Sequence, residues 1–299
     1  MFTYTSIATS IAELVEAAEK SGKKISELVL ADQAESMEQS QEELFDRMST
    51  DLDVMIDAVK FGEQKDQKST SGLTGGEGWK MNDYTGRTQG GLSGTIIGHA
   101  IARALSVAGC NASMGRIVAT PTAGSCGILP GCLLTLMEEK GMDRKDVIMS
   151  IFTAGAFGMV IAQNACIAGA QGGCQAECGS ASGMAAAALV ELAGGTPQMA
   201  ADACAIAIAN QLGLVCDPVA GLVEIPCIKR NASGVVIAFS AADMALAGIR
   251  SCIPVDECIE TMRAVGSALP ASLRETAGGG LAVTKTGKKL KEQVFGKEE

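Results

Sequence analysis

Apolar residues recur every three to four positions across the first sixty residues, against a charged background. In "SIAELVEAAEK" the positions Ile11, Leu14, Val15 and Ala18 share one helical face; further on, Leu44, Met48, Leu52, Met55 and Ile56 share another. Ser10 with Glu13, and Ser40 with Glu43, have the spacing of capping boxes. Residues 1–62 therefore read as amphipathic helices packed on a larger body. The pattern then breaks. Residues 63–95 ("EQKDQKSTSGLTGGEGWKMNDYTGRTQGGLSGT") are polar, glycine-rich and without a clear period, and they read as a long loop covering a site. Their glycine pairs lack the strand-before, helix-after setting of a phosphate loop.

From residue 96 the pattern changes again, to long runs of small apolar residues joined by short Gly/Pro segments. The expected helices are Ile96–Ala108, Gly131–Lys140, Arg144–Gly169, Ser182–Ala193, Gln198–Gln211, Ser233–Ala247 and Asp256–Ala268. Period-two alternation is scarce. The fold class expected is all-α: a compact bundle of Ala/Gly-rich helices with active-site loops between them, residues 96–299 forming the catalytic body of one catalytic domain.

Composition sharpens this picture. Of 299 residues, 47% are apolar but only 3% aromatic, and 36 are glycine, which suits closely approaching small-residue helices. The net charge of −10 and the lack of a basic stripe argue against nucleic acid or an anionic membrane surface as partners. The uncharged run Val147–Ala176 is long enough to span a bilayer. It is broken by Gln163, Asn164, Gln171 and Gln175 and lacks basic or aromatic flanks, so it reads as a central core helix. The N-terminus shows no leader pattern, and a cytoplasmic protein is expected.

Eleven cysteines in such a chain are not a disulfide framework; they are buried apolar side chains or thiolates with a task. Cys132, Cys166 and Cys204 lie in apolar helical runs and belong to the first kind, as do Cys110, Cys252 and Cys258 near helix ends. Cys174, Cys178, Cys216 and Cys227, with Cys126 in reserve, sit in Gly- or Pro-containing loops. With His99 the sole histidine, a transition-metal site would be mostly thiolate, holding zinc or an iron–sulfur cluster. Paired C-x2-C knuckles are missing; the nearest spacing, Cys174 with Cys178, is C-x3-C. Zinc bound without catalysis, in a structural subunit, stands as the alternative to a catalytic cluster.

Three long segments carry a resemblance: "NASMGRIVATPTAGSCGILPG", "NACIAGAQGGCQAECGSASGMAAAALVELAGGTP" and "LGLVCDPVAGLVEIPCIKRNASG", with the later "LRETAGGGLA". They resemble the iron–sulfur-dependent L-serine dehydratases, specifically the alpha subunit of the two-subunit bacterial form. The resemblance implies deamination of L-serine to pyruvate and ammonia, a [4Fe–4S] cluster held by Cys174, Cys216 and Cys227, and a separate beta subunit in a hetero-oligomer. Cys126 and Cys178 stand where the family pattern does not require cysteine. The tail cysteine that fills the open cluster position in some members has no counterpart in "VFGKEE".

Roles for other residues are expectations. Arg230 or Lys229 either pairs with the substrate carboxylate or balances the thiolates. The "TPTAGS" turn, with Thr122, Gly124 and Ser125, offers a carboxylate cradle or is plain turn chemistry. Asn231 is placed among the substrate-binding residues; Asn231 and Asp217 either orient cysteine ligands or cap turns. His99 is named as a catalytic base, in competition with Glu177 or a partner residue. A pyridoxal-phosphate dehydratase makes the same products, but no lysine here follows a strand-like segment.

Overall fold

The computed structural model describes residues 8–296. The first seven residues, over which no leader pattern is seen, and the last three of the basic C-terminal end lie outside the described residues. Thirteen α-helices are described. In chain order they are α1 (Ile11–Ser21), α2 (Ile25–Ser36), α3 (Gln41–Gly62), α4 (Glu77–Arg87), α5 (Thr95–Ala112), α6 (Ile128–Glu139) and α7 (Arg144–Asn164). There follow α8 (Gly169–Gly172), α9 (Ser180–Leu192), α10 (Pro197–Ala209), α11 (Cys227–Leu246), α12 (Val255–Ala268) and α13 (Lys285–Phe295). Among the described residues the only β-type pairing is an isolated parallel bridge between Cys216 and Arg274. The fold is all-α, as the periodicity predicts.

Helix ends follow local chemistry. Ser40 accepts from the Glu43 N–H while the Glu43 carboxylate accepts from the Ser40 N–H, closing the expected capping box of α3. At α1, Ser10 accepts from the Glu13 N–H, but the Glu13 carboxylate reaches one residue further back, to the Thr9 N–H and hydroxyl. Asp143 and Thr196 cap α7 and α10 in the same manner, and Pro197 takes the first position of α10, where no N–H is needed.

The core centres on α9. Every residue from Ser180 to Glu191 is buried, and the helix is wrapped by α7, α10, α11 and α6. Its small side chains let these neighbours come close: a Cβ at Gly183 would lie 2.9 Å from the Cys204 sulfur. The apolar faces of α1 and α3 join the same buried cluster through Ile11, Leu14, Val15, Ala18, Leu52 and Met55. Helix α7 is long and apolar enough to cross a membrane, yet 67% of its apolar window is buried inside the protein, against α9, α2 and α3. It is a core helix.

Three elements differ from expectation. Residues 63–95 contain α4 rather than continuous loop. This helix is held by packing on α5, with Gly78 pressed on Ser106, and by Lys65 lying over the Trp79 ring. Helix α11 begins at Cys227, six residues before the expected Ser233, because tertiary contacts made by Asn231 override its loop preference. Lys229 and Arg230 thus stand on the first turns of a helix. Conversely, α7 stops at Asn164, whose side-chain amide donates to the Val160 and Thr9 carbonyls.

Candidate active site

Three connecting segments converge at one end of α9 and α11. The first is the turn Ala123–Ser125, between α5 and α6. The second is α8 with the π-helical turn Gln175–Gly179 that leads into α9. The third is the loop 213–226 before α11. π-Turns inside helices are frequent at functional sites because the wider turn re-aims side chains. Here the turn is fastened from outside: Gln175 donates to the Met262 carbonyl and accepts from the Gly213 N–H, and Gln211 donates to the Cys178 carbonyl.

Cys174, Cys178, Cys216 and Cys227 are all buried. They lie close enough to perturb one another. Cys174 is held below the ordinary thiol pKa, first by its hydrogen bond with the Cys178 thiol at 3.4 Å and then by the Arg230 guanidinium, against burial. Cys178 is correspondingly raised by that bond and by burial. Burial raises Cys216, with the charges of Cys174, Glu177, Glu275 and Cys227 adding to it. Cys227 is pushed up to about 12, by burial first and by Cys174 next. By contrast Cys126, pushed up to about 12 by burial, turns its thiol toward the Val107 carbonyl.

Glu177 stands in the middle of this group. Thr122 donates its hydroxyl to the carboxylate at 2.9 Å. Burial raises the Glu177 pKa, Thr122 lowers it, nearby Glu275 raises it and Arg230 lowers it. Two glycines keep the space around the carboxylate open. A Cβ at Gly169 would lie 2.6 Å from a Glu177 oxygen and 3.1 Å from the Cys216 sulfur; one at Gly124 would lie 3.1 Å from the other Glu177 oxygen. The backbone has been left bare where carboxylate and sulfur meet.

Arg230 is brought into the group but is already engaged. It donates to the Val215 carbonyl at 2.8 Å and pairs with the nearly buried Asp217 at 2.8 Å. The other Asp217 oxygen accepts from the Leu281 N–H at 2.7 Å, so the "TAGGGLA" segment is tied to the same ion pair. The Cys216 N–H donates to the Leu273 carbonyl, and the Glu275 N–H donates to the Cys216 carbonyl, which brackets this cysteine from both sides.

The other expected site residues divide. Thr122 and Gly124 face Glu177. Ser125 is fully buried, with its hydroxyl turned toward Thr122 and the Thr120 carbonyl. Asn231 is also fully buried. It accepts from the Gly127 N–H and donates to the Gly124 and Cys227 carbonyls, lashing the turn to the start of α11. Lys229 is exposed. His99 lies elsewhere: it bonds Glu139 at 2.6 Å beside the Arg103–Glu138 pair. From His99 to Asn111, which donates to the Ala123 carbonyl, α5 runs about 18 Å at its normal rise.

Asn231→Ala is expected to leave the Gly127 N–H and the Gly124 carbonyl buried without partners. The cost is about 3 kcal/mol, read as a lower midpoint of urea unfolding. An unchanged midpoint would show that the lashing is dispensable.

The donor set can be weighed against the groups it would hold. Among the described residues no three His, Cys, Asp or Glu side chains gather tightly enough to hold a single metal ion. A lone zinc draws its ligands to one point, whereas a cuboidal cluster takes each thiolate at a separate iron. Three buried, mutually interacting thiols from different segments, with the Arg230 cation beside them and bare glycines in front, fit the larger group. Burial keeps Cys216 and Cys227 protonated by themselves, and bound metal ions are what ionise such thiols.

Comparison with known proteins gives a consistent result. Residues 20–282 match the family model described as serine dehydratase alpha chain. The chain is 51% identical over 287 residues to the probable L-serine dehydratase, alpha chain, of Bacillus subtilis (strain 168), covering 96% of this chain and 95% of that one. It is 44% identical over 281 residues to the L-serine dehydratase, alpha chain, of Peptoniphilus asaccharolyticus, with 93% and 95% covered. Against L-serine dehydratase 1 of Escherichia coli (strain K12) it is 46% identical over 184 residues, 60% of this chain but only 40% of that protein.

Proposed function

Starting from the fact that the chain belongs to the serine dehydratase alpha-chain family, we propose that it deaminates L-serine to pyruvate and ammonia by β-elimination. The observation that carries this reading is the convergence of Cys174, Cys216 and Cys227 on the half-buried Glu177 carboxylate. These three cysteines are the residues that would hold a [4Fe–4S] cluster. Bound there, the cluster supplies a Lewis-acidic iron that makes the serine hydroxyl a tolerable leaving group.

The chain's own groups supply the remainder. Glu177 receives the Cα proton. Burial raises the proton affinity of its carboxylate, and the Thr122 hydroxyl fixes its orientation. Arg230, engaged by Asp217 and Val215, serves the thiolate end of the site by offsetting negative charge near Cys174. The Thr122–Gly124 face of the turn forms the wall against which the polar groups of serine lie. Loss of the Cα proton and the Cβ hydroxyl leaves an enamine, whose imine tautomer hydrolyses in water to pyruvate and ammonia.

We further propose a beta subunit as partner, in a hetero-oligomer of the cytoplasm. The relatives named alpha chain are matched almost end to end, whereas the Escherichia coli protein extends well beyond the matched part. The zinc alternative is not favoured, because it needs ligands gathered around one ion. The decisive test is iron and acid-labile sulfide per chain after strictly anaerobic purification. About four of each are expected, the content of a [4Fe–4S] centre. A folded chain with neither, or with one zinc, would overturn the cluster assignment.

A further inference from the structure

Cys178 has no part in the proposed cluster, yet its sulfur lies 3.4 Å from that of Cys174 and both are buried. No other pair of cysteine sulfurs among the described residues is in hydrogen-bond contact with its mate, and none of the eleven cysteines is in a disulfide. The two residues stand four apart across the π-helical turn Gln175–Gly179, which puts them on one side of the chain. A disulfide needs about 2.05 Å between sulfurs, so the pair must close by about 1.3–1.4 Å. The surrounding main chain is pinned by Gln175 and Gln211, so closure needs no new backbone contact.

We propose that Cys174 and Cys178 form a reversible disulfide in the iron-free chain, a modification site that removes one cluster ligand and blocks reloading until it is reduced. The proposal rests on the cluster reading for its consequence, but not for its chemistry. With a peroxide as oxidant, one thiol is converted to a sulfenic acid with release of water. The other thiol then attacks that sulfur, forming the S–S bond and releasing a second water. Two electrons pass from the two thiols to the peroxide. A thiol reductant reverses the step by exchange. The C-x3-C spacing places the second sulfur beside one ligand, Cys174, and leaves Cys216 and Cys227 as free thiols.

The test uses the full chain, freed of iron by a chelator without air, then treated with hydrogen peroxide and alkylated after denaturation. Peptide mapping is expected to show Cys174 and Cys178 protected from alkylation and joined, with protection lost after dithiothreitol. Cys252 is exposed and Cys166 is half-buried, so peroxide reaches these thiols as well, and the assignment is made by mapping rather than by counting. In a second arm the peroxide-treated chain is offered ferrous iron and sulfide. The unchanged chain should lose its uptake and regain it when a dithiol is added. In Cys178→Ser and Cys178→Ala, by contrast, a Cys174 sulfenic acid finds no resolving thiol and continued peroxide carries it to the sulfinic acid, so a dithiol should restore uptake less. Free Cys174 and Cys178 after peroxide, or a bond from Cys174 to Cys216 or Cys227, would overturn the proposal. So would equal recovery of uptake by the dithiol in the unchanged chain and the Cys178 variants. If the untreated chain takes up no iron at all, the cluster reading fails, and the peptide map still decides the disulfide.

Discussion

Glu177→Gln is expected to lower kcat for serine by about 10²–10⁴-fold, the usual contribution of a positioned general base, while iron and sulfide content stay unchanged. The substitution keeps the shape and the oxygen that accepts from Thr122 at 2.9 Å, and removes only the capacity to take a proton. The site is arranged for that capacity. Gly124 and Gly169 hold the backbone back from both carboxylate oxygens, and a neighbouring carboxylate, Glu275, adds to burial in raising the proton affinity. His99→Ala serves as the contrast. Its bond to Glu139 and its place on α5 put it away from the cysteines, so kcat should change little. Full activity in Glu177→Gln with loss in His99→Ala would reverse the assignment. Near-full activity in both would move the base to the partner subunit.

The parts of this structure legible in the sequence are those fixed by local rules. The face Ile11–Leu14–Val15–Ala18 is buried as its period requires, as are Leu44, Leu52 and Met55 of the second face, with Met48 and Ile56 half-buried beside them, and Ser40 with Glu43 caps α3 as their spacing requires. Helix α4 was not legible. "EGWKMNDYTGR" has no apolar stripe, contains two glycines, and is held by contacts with α5 that only the fold creates. The start of α11 was hidden for the same reason: Asn231, a turn-forming residue by habit, spends all its visible contacts on segments up to 107 positions away.

The site divides along the same line. The division of the cysteines into buried helical ones and those of Gly/Pro segments could be read only in part, since Cys166 falls after the end of α7 and is half-buried and Cys252 is exposed; the resemblance narrowed five candidates to three. Their convergence on Glu177 could not be read, because Thr122, Gly169, Cys216 and Glu275 come from four separate stretches. Nor could the ion pair of Arg230 with Asp217, which comes from a separate loop. One signal was available and set aside. Cys178 follows Cys174 by four, the spacing at which side chains on a helical turn meet.

Cys174→Ala, Cys216→Ala and Cys227→Ala are each expected to abolish retention of iron and sulfide, and with it all turnover, whereas Cys204→Ala should keep both. The comparison separates ligation from packing. All four residues are buried, so each truncation removes a small apolar volume and costs stability of the same order, about 1–3 kcal/mol. A purely structural account therefore predicts four similar losses in unfolding midpoint and no special loss of metal. Cys204 packs under Gly183 in the core and lies outside the cysteine group; its thiol is raised chiefly by burial. The three candidates instead act on one another and on Glu177, so removing any one of them leaves a three-iron anchorage with two points. Visible absorbance of the anaerobic protein, read beside circular dichroism, gives the answer directly. A brown, active Cys216→Ala protein would sink the ligand set, while a colourless but fully helical one would tie this thiol to the metal rather than to the fold.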